Sequence, residues 1–205
     1  DIVIRGGRVI DGTGAPWFNA DVGVRDGRIA AVGDLGEAAA TEVVDAAGRV
    51  VTPGFIDMHT HSDLALLRDG RGLSKIRQGV TTEVLGEGGS VAPRRPDDQS
   101  GTDGVVVDWT TLRGYFERLD SSGTSGNVMS YIGAGQLRRY VMGEGAQRKP
   151  TPEELEEMKR LLAQGMEDGA AGLVMALETP GQEQFGPGNK LSDAQPSTEE
   201  LIELA

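Results

Sequence analysis

Hydrophobic and polar residues alternate in short runs over the first fifty residues, a pattern typical of β-strands. The apolar runs lie at residues 1–4, 8–10, 21–24 and 28–32. The turn Asp26-Gly27 separates two of these runs, and an Asp-Gly pair between alternating segments predicts a hairpin. Residues 41–45 and 48–52 fit two further strands. We therefore predict a small antiparallel sheet and assign residues 1–52 to a first domain.

Beyond Pro53 the pattern changes to apolar strands that alternate with segments of helical periodicity, which predicts parallel β-α units. The predicted strands are the segment before the histidines and residues 80–85, 127–132 and 170–177. Two predicted helices are residues 64–78 and 108–119. A third begins at the capping box Thr151-Pro152-Glu153-Glu154, and a fourth begins at Ser197. Four such units make half of an eight-unit barrel, so residues 53–205 are predicted to form the first half of an α/β barrel. We expect the chain to be the N-terminal part of a longer protein.

The only two histidines of the chain, His59 and His61, follow the first predicted barrel strand. Residues i and i+2 lie on the same face of a strand, so the two imidazoles should converge at its end. Imidazole is the commonest zinc-ligating side chain, and a catalytic zinc also needs further protein ligands and an open position for water. Because a Pro-Gly turn and two carboxylates surround the pair, a metal site is preferred to a pair that binds nothing. One of those carboxylates, Asp63, fits an orienting role behind a histidine and a helix cap equally well.

Composition and charge narrow the range of partners. The chain has 20 Lys and Arg against 32 Asp and Glu, a formal net charge of −12, whereas nucleic acids and anionic membranes need basic surfaces. It contains no cysteine, hence no disulfide and no thiolate ligand, and no apolar run approaches the ~20 residues of a membrane span. We expect a cytoplasmic protein with no nucleic-acid or membrane partner. Whether it forms a homo-oligomer stays open.

The motif Gly-Phe-Ile-Asp-Met-His-Thr-His-Ser-Asp at residues 54–63, preceded by a small sheet, resembles the amidohydrolase superfamily. Further segments resemble its N-acyl-D-amino-acid deacylase (D-aminoacylase) branch. They are residues 78–82, 86–93, 127–138, 141–143 and 172–181. The resemblance therefore extends over nearly the whole chain.

This resemblance implies a (β/α)8 TIM-like barrel with a β-sandwich built from both chain ends. It implies that metal-activated water hydrolyses a linear amide, most specifically in the deacylation of N-acyl-D-amino acids, with one or two divalent ions such as zinc. A general-base Asp and further histidine ligands are expected beyond residue 205. The alternatives are a cyclic amidase or dipeptidase of the same superfamily, and a non-catalytic scaffold or fragment with this fold.

The chain departs from the branch in the turn after the second barrel strand. The branch usually carries a metal-binding Cys there, and Gly88 stands at that position. Its neighbour Glu87 offers a carboxylate and is the third predicted metal ligand, with a solvated turn residue as the alternative. Gly88 is predicted to line the site, as is Glu178, which ends the fourth strand. For Glu178 the alternative is a plain loop carboxylate.

Two other groups of residues have ordinary structural interpretations. The aromatic stripe Trp109, Tyr115 and Phe116 is predicted to lie in the core. The basic pairs Arg94-Arg95 and Arg138-Arg139 are predicted to lie on solvated faces.

Overall fold

The computed structural model describes residues 1–87, 89–99, 101–102, 104–175 and 196–205, without the side chains of Glu144 and Gln147. These residues form two compact units, Asp1–Gly54 and Phe55–Ala205. Among the described residues, no helix combines the length and the apolar character needed to cross a membrane.

The first unit is a mixed five-stranded sheet. Its strands are β1 (Ile2–Val9), β2 (Phe18–Arg25), β3 (Arg28–Gly33), β4 (Glu42–Asp45) and β5 (Val50–Val51). The strand order is β3-β2-β1-β4, and β5 also pairs with β1. The predicted hairpin is confirmed, since Arg25 pairs with Arg28 in antiparallel β2 and β3. The prediction of a purely antiparallel sheet is wrong, because β4 and β5 run parallel to β1. Turn signals predict local hairpins but do not specify the partner of a strand that returns from a distance.

The glycine pair Gly6-Gly7 lies within β1, where the sequence suggested a break between two strands. The register with β2 shifts between Ile4 and Gly7, so the pair forms an irregularity inside one continuous strand. Gly6 has φ +67°, and a Cβ on Gly7 would stand 2.5 Å from Val51 Cγ2. Both positions therefore need glycine, one for its backbone conformation and the other for a close approach.

The second unit alternates strands with helices. Its strands are β6 (Phe55–Asp57), β7 (Val80–Leu85), β8 (Asn127–Ser130), β9 (Ile132–Gly133) and β10 (Leu173–Val174). Its α-helices are α1 (Asp63–Arg68), α2 (Leu73–Ile76), α3 (Leu112–Ser122), α4 (Ala134–Met142), α5 (Pro152–Glu167) and α6 (Thr198–Leu204), and a 3₁₀ helix spans Gly143–Gln147. The order β6-β7-β8 is parallel throughout, and β9 pairs in parallel with β10. This pairing agrees with the predicted β-α units.

Local signals in the second unit predict some element bounds well and others poorly. The capping box is confirmed, because Thr151 Oγ1 accepts from Glu154 N at 3.2 Å and the Glu154 carboxylate accepts from Thr151 N at 2.8 Å. Helix α3 begins at Leu112, later than the predicted start at residue 108. Helix α4 was not predicted, because it is short and the residue that precedes it, Gly133, makes no side-chain cap. Of the predicted fourth strand, residues 176 and 177 lie outside the described residues.

The core of the second unit lies between its strands and helices. Fully buried residues include Leu85, Leu112, Tyr115, Ile132, Leu137 and Met158. Trp109 and Tyr115 are buried as predicted, and Phe116 is partly buried against them. The prediction that Arg138 is solvated is wrong. Its side chain is 2% exposed and forms an ion pair with buried Glu200 of α6.

Candidate functional site

The two histidines lie in the connection between β6 and α1 rather than in the strand itself. Strand β6 ends at Asp57, and the backbone bends through His59 before α1 begins at Asp63. The imidazoles nevertheless converge, with His59 Nε2 and His61 Nε2 3.2 Å apart and ring planes inclined at 75°. Both side chains are exposed. The structure thus places two aromatic nitrogens side by side, at the carboxyl end of a parallel strand.

The spacing of these nitrogens suits a shared divalent cation. Zinc binds histidine nitrogen at about 2.0–2.1 Å in tetrahedral geometry, which places two nitrogen ligands roughly 3.3 Å apart. The observed separation is 3.2 Å. Two neutral imidazoles at this distance are either bridged by a proton or able to bind one cation together. The donor pair therefore fits zinc in both chemistry and spacing.

Glu87 lies on the other nitrogen of His59. Its Oε2 stands 3.0 Å from His59 Nδ1, and so not beside the Nε2 that faces His61. A carboxylate in this place accepts a hydrogen bond from Nδ1–H, which leaves Nε2 without a proton and free to bind a metal. Among the described residues, no group of three or more His, Asp or Glu side chains surrounds one cation position. Glu87 as a direct ligand stays a prediction, and Gly88 and Glu178 lie outside the described residues.

Asp57 anchors the backbone that leads into the histidines. Its Oδ1 accepts from His59 N at 3.3 Å, and its Oδ2 forms an ion pair with Lys75 of α2. The hydrogen bond from Lys75, followed by that from His59 N, holds the pKa of Asp57 below its usual range. The ionised carboxylate therefore connects α2 to the start of residues 58–62, the loop between β6 and α1 that carries both histidines and is called the histidine loop below.

Asp63 is the first residue of α1. Its Oδ1 is buried and has no hydrogen-bond partner among the described residues, and burial raises the pKa of its carboxyl above the usual value. The Tyr115 hydroxyl donates to the Asp63 backbone carbonyl at 2.9 Å. Within the described part of the chain, no hydrogen bond joins the Asp63 carboxyl to either histidine, so its predicted orienting role stays a prediction.

The sequence analysis missed Glu83, which lies beneath the histidine loop. This carboxylate is in β7 and only 4% exposed. Its Oε2 accepts from Thr60 Oγ1 at 3.4 Å and from Ser62 Oγ, and Thr60 N also donates to Val84 O at 3.3 Å. The available signal was a carboxylate inside a parallel strand, because such strands are usually continuous apolar runs.

Comparison with known proteins identifies the family and agrees with the fold. The model of the Amidohydrolase family matches residues 42–198. A D-aminoacylase of Alcaligenes xylosoxydans xylosoxydans is 38% identical, over 100% of this chain and 41% of its own length. An N-acyl-D-glutamate deacylase of the same organism is 39% identical, over 86% of this chain and 37% of its own length. The chain therefore spans about two-fifths of these relatives.

Solved structures give the same relationship. The N-acyl-D-glutamate deacylase of Bordetella bronchiseptica, complexed with zinc and a phosphonate inhibitor, superposes with a TM-score of 0.82 at 36% identity. That match covers 100% of this chain and 42% of the other. The L-hydantoinase of Arthrobacter aurescens, with a TM-score of 0.53 at 22% identity, shares the fold alone. On the family match and these relatives, the chain belongs to the amidohydrolase family.

Proposed function

We propose that this chain carries part of the metal site of an enzyme that hydrolyses a linear amide, most specifically an N-acyl-D-amino acid. The observation that carries the proposal is the 3.2 Å separation of His59 Nε2 and His61 Nε2 at the carboxyl end of β6. Relatives at 38% and 39% identity are named as a D-aminoacylase and an N-acyl-D-glutamate deacylase. We propose zinc as the metal, in one or two ions, because a related deacylase was solved with zinc.

The proposed architecture is the first half of a (β/α)8 barrel at residues 53–205, preceded by part of a β-sandwich at residues 1–52. The parallel order β6-β7-β8, the parallel pair β9-β10 and the separate N-terminal sheet support it. Enzyme sites in such barrels lie at the carboxyl ends of the strands, where the histidine loop lies.

The residues of this chain would prepare the site rather than complete it. A divalent metal, when bound, lowers the pKa of its water toward about 7 and polarises the amide carbonyl. His59 and His61 would hold the metal through their Nε2 atoms, and Glu87 would favour the required His59 tautomer by accepting a hydrogen bond from Nδ1–H. The predicted role of Glu87 as a direct ligand and the lining roles of Gly88 and Glu178 belong to the same proposal. The general-base Asp is expected beyond residue 205.

The alternatives differ in substrate or in turnover. A cyclic amidase or dipeptidase would use the same histidines, and a non-catalytic scaffold would retain the fold without turnover. Deacylation is preferred because relatives at 38% and 39% identity over 100% and 86% of this chain carry deacylase names, whereas the hydantoinase match at 22% concerns the fold. We also propose a small-molecule substrate and a cytoplasmic location. Whether the protein forms a homo-oligomer stays open.

Zinc content and hydrolysis of the complete gene product test this function. We expect His59→Ala and His61→Ala each to lower bound zinc and to reduce hydrolysis of N-acetyl-D-amino acids at least about 100-fold. Glu117→Gln, which changes an exposed carboxylate of α3, serves as the control and should change neither. N-acetyl-L-amino acids, a hydantoin and a dipeptide identify the alternative substrates. Unchanged zinc content in both histidine variants would contradict the site.

A further inference from the structure

The segment His59-Thr60-His61-Ser62 alternates imidazoles with hydroxyls, and the structure separates the two kinds of side chain. The histidines are exposed and meet through their Nε2 atoms. Thr60 is buried and Ser62 is half-buried, and their hydroxyl oxygens are 3.0 Å apart. The hydroxyls therefore form the inner side of the loop that presents the histidines.

Both hydroxyls reach one acceptor, Glu83 Oε2. Thr60 Oγ1 donates to it at 3.4 Å, and Ser62 Oγ also donates to it. Glu83 lies in β7, and its backbone pairs with Asp57 at the end of β6. One carboxylate thus connects the loop after β6 to the neighbouring strand through two donors that alternate with the histidines.

Ser62 is used in an unusual way for its position. It is the N-cap residue of α1, yet its side chain makes no cap hydrogen bond. A serine at this position normally accepts from a backbone N–H of the first turn and so stabilises the helix. Here the hydroxyl donates to Glu83 instead, so the contact is made at the expense of the helix.

Glu83 is itself costly to bury. It is 4% exposed, and within the part of the chain that the structure describes no ion pair includes it. A buried carboxylate without a cation is tolerated only when hydrogen-bond donors surround it. Asp63 nearby adds a second acidic group rather than a compensating charge. Stability alone does not account for an acidic residue at this point, whereas support of the histidine loop does.

We propose that Glu83 is a positioning residue for the metal site: through Thr60 and Ser62 it holds the loop in the form that brings His59 Nε2 and His61 Nε2 together. The inference rests on the proposed metal site and extends it to a residue that contacts neither histidine in the described hydrogen bonds. Residues that hydrogen-bond directly to a metal ligand typically change metal affinity 10–100-fold when they are replaced, and we expect the same range for Glu83 because its two donors lie in the segment that carries both ligands.

The test measures zinc affinity of the complete gene product by competition with a chromophoric chelator, together with the absorption spectrum of the Co(II)-substituted form. We expect Glu83→Ala to weaken zinc binding 10–100-fold and to alter the Co(II) bands. Glu83→Gln keeps the shape and one acceptor and should recover part of the affinity. Ser62→Ala should also weaken zinc binding. Adding it to Glu83→Ala should cause little further loss, because both changes remove the same hydrogen bond between Ser62 and Glu83.

Glu117→Gln is the matched control and should bind zinc like the wild type. Circular dichroism checks that each variant is folded, and Ser62→Ala decides the matter if Glu83→Ala does not fold. Wild-type zinc affinity and unchanged Co(II) bands in folded Glu83→Ala, or in Ser62→Ala where Glu83→Ala does not fold, would overturn the positioning role alone. If His59→Ala and His61→Ala both keep the zinc content of the wild type, the metal site is overturned as well.

Discussion

Replacing Arg138 by methionine removes the cation from the buried ion pair between α4 and α6. The side chains of Arg138 and Glu200 are 2% and 3% exposed. The guanidinium also donates to Ala146 O at 3.1 and 2.7 Å and to Arg148 O at 2.6 Å. Arg138→Met would therefore leave a buried carboxylate and two carbonyl groups without their donor. Removing one partner of a buried pair typically costs about 3–5 kcal/mol, and we expect this variant to lie in the upper half of that range.

The double variant Arg138→Met, Glu200→Leu separates the charge from the other contacts. It removes the uncompensated carboxylate but still leaves the carbonyls of Ala146 and Arg148 unpaired, at roughly 1–3 kcal/mol each when they stay dry. Glu200 Oε1 is already buried without a hydrogen-bond partner in the part of the chain that the structure describes, which adds to the gain from removing it. We therefore expect the double variant to be more stable than Arg138→Met alone, by at least about 1 kcal/mol.

Urea unfolding of the complete gene product, followed by far-UV circular dichroism, measures these differences. Arg139→Met is the matched control, because Arg139 is the exposed neighbour on α4 and hydrogen-bonds to Gln136. It should stay within about 0.5 kcal/mol of the wild type. A loss below about 1 kcal/mol for Arg138→Met, or additive losses in the double variant, would refute the assignment of a buried, coupled pair.

Three further changes test local features. Thr151→Ala removes one half of the capping box of α5 and should lower the free energy of unfolding by about 1 kcal/mol, measured in urea. Hydrogen bonds from Arg148, and then from the Thr151 backbone, lower the pKa of Glu154 to about 2. That stabilisation is present above the ordinary value and is lost as the pH falls toward 2, so Glu154→Gln should flatten the fall of the urea midpoint between pH 5 and 2. Gly165→Ala places a Cβ 2.7 Å from Ile132 Cγ1 and should destabilise by about 1–3 kcal/mol in thermal unfolding, with no loss if the helix shifts freely.

Features with strong local signals could be predicted from the sequence alone. The strand Val80–Leu85 has its predicted bounds, because a short run rich in β-branched residues between two glycines favours a strand. The hairpin at Asp26-Gly27 and the capping box at Thr151 follow from side-chain and backbone preferences within four residues. These preferences act within the unfolded chain as well as the folded one, so no distant partner is needed to identify them.

The features that the sequence analysis missed depend on partners far apart in the chain. Arg138 was assigned to a solvated face because its partner lies 62 residues away, in α6. Glu83 was overlooked because its role depends on Ser62, 21 residues earlier. In both cases the charged group is buried, which local patterning treats as an exception. A buried charge needs specific partners. Those partners lie in other helices and strands, so a pattern within a few residues does not identify them.

For the histidine motif, local spacing predicts the convergence of the side chains but not the contacts that hold them. Spacing alone predicted that His59 and His61 would converge, and they do, although β6 ends at Asp57 and the alternation continues only as a loop. A loop has no ladder of backbone hydrogen bonds to hold i and i+2 on one face, so something else must hold them. Thr60 and Ser62, the residues between and after the histidines, make the contacts to β7 that a strand would otherwise have made. In this chain the two hydroxyls therefore connect the segment that carries the imidazoles to β7, and Glu83 is the acceptor they share.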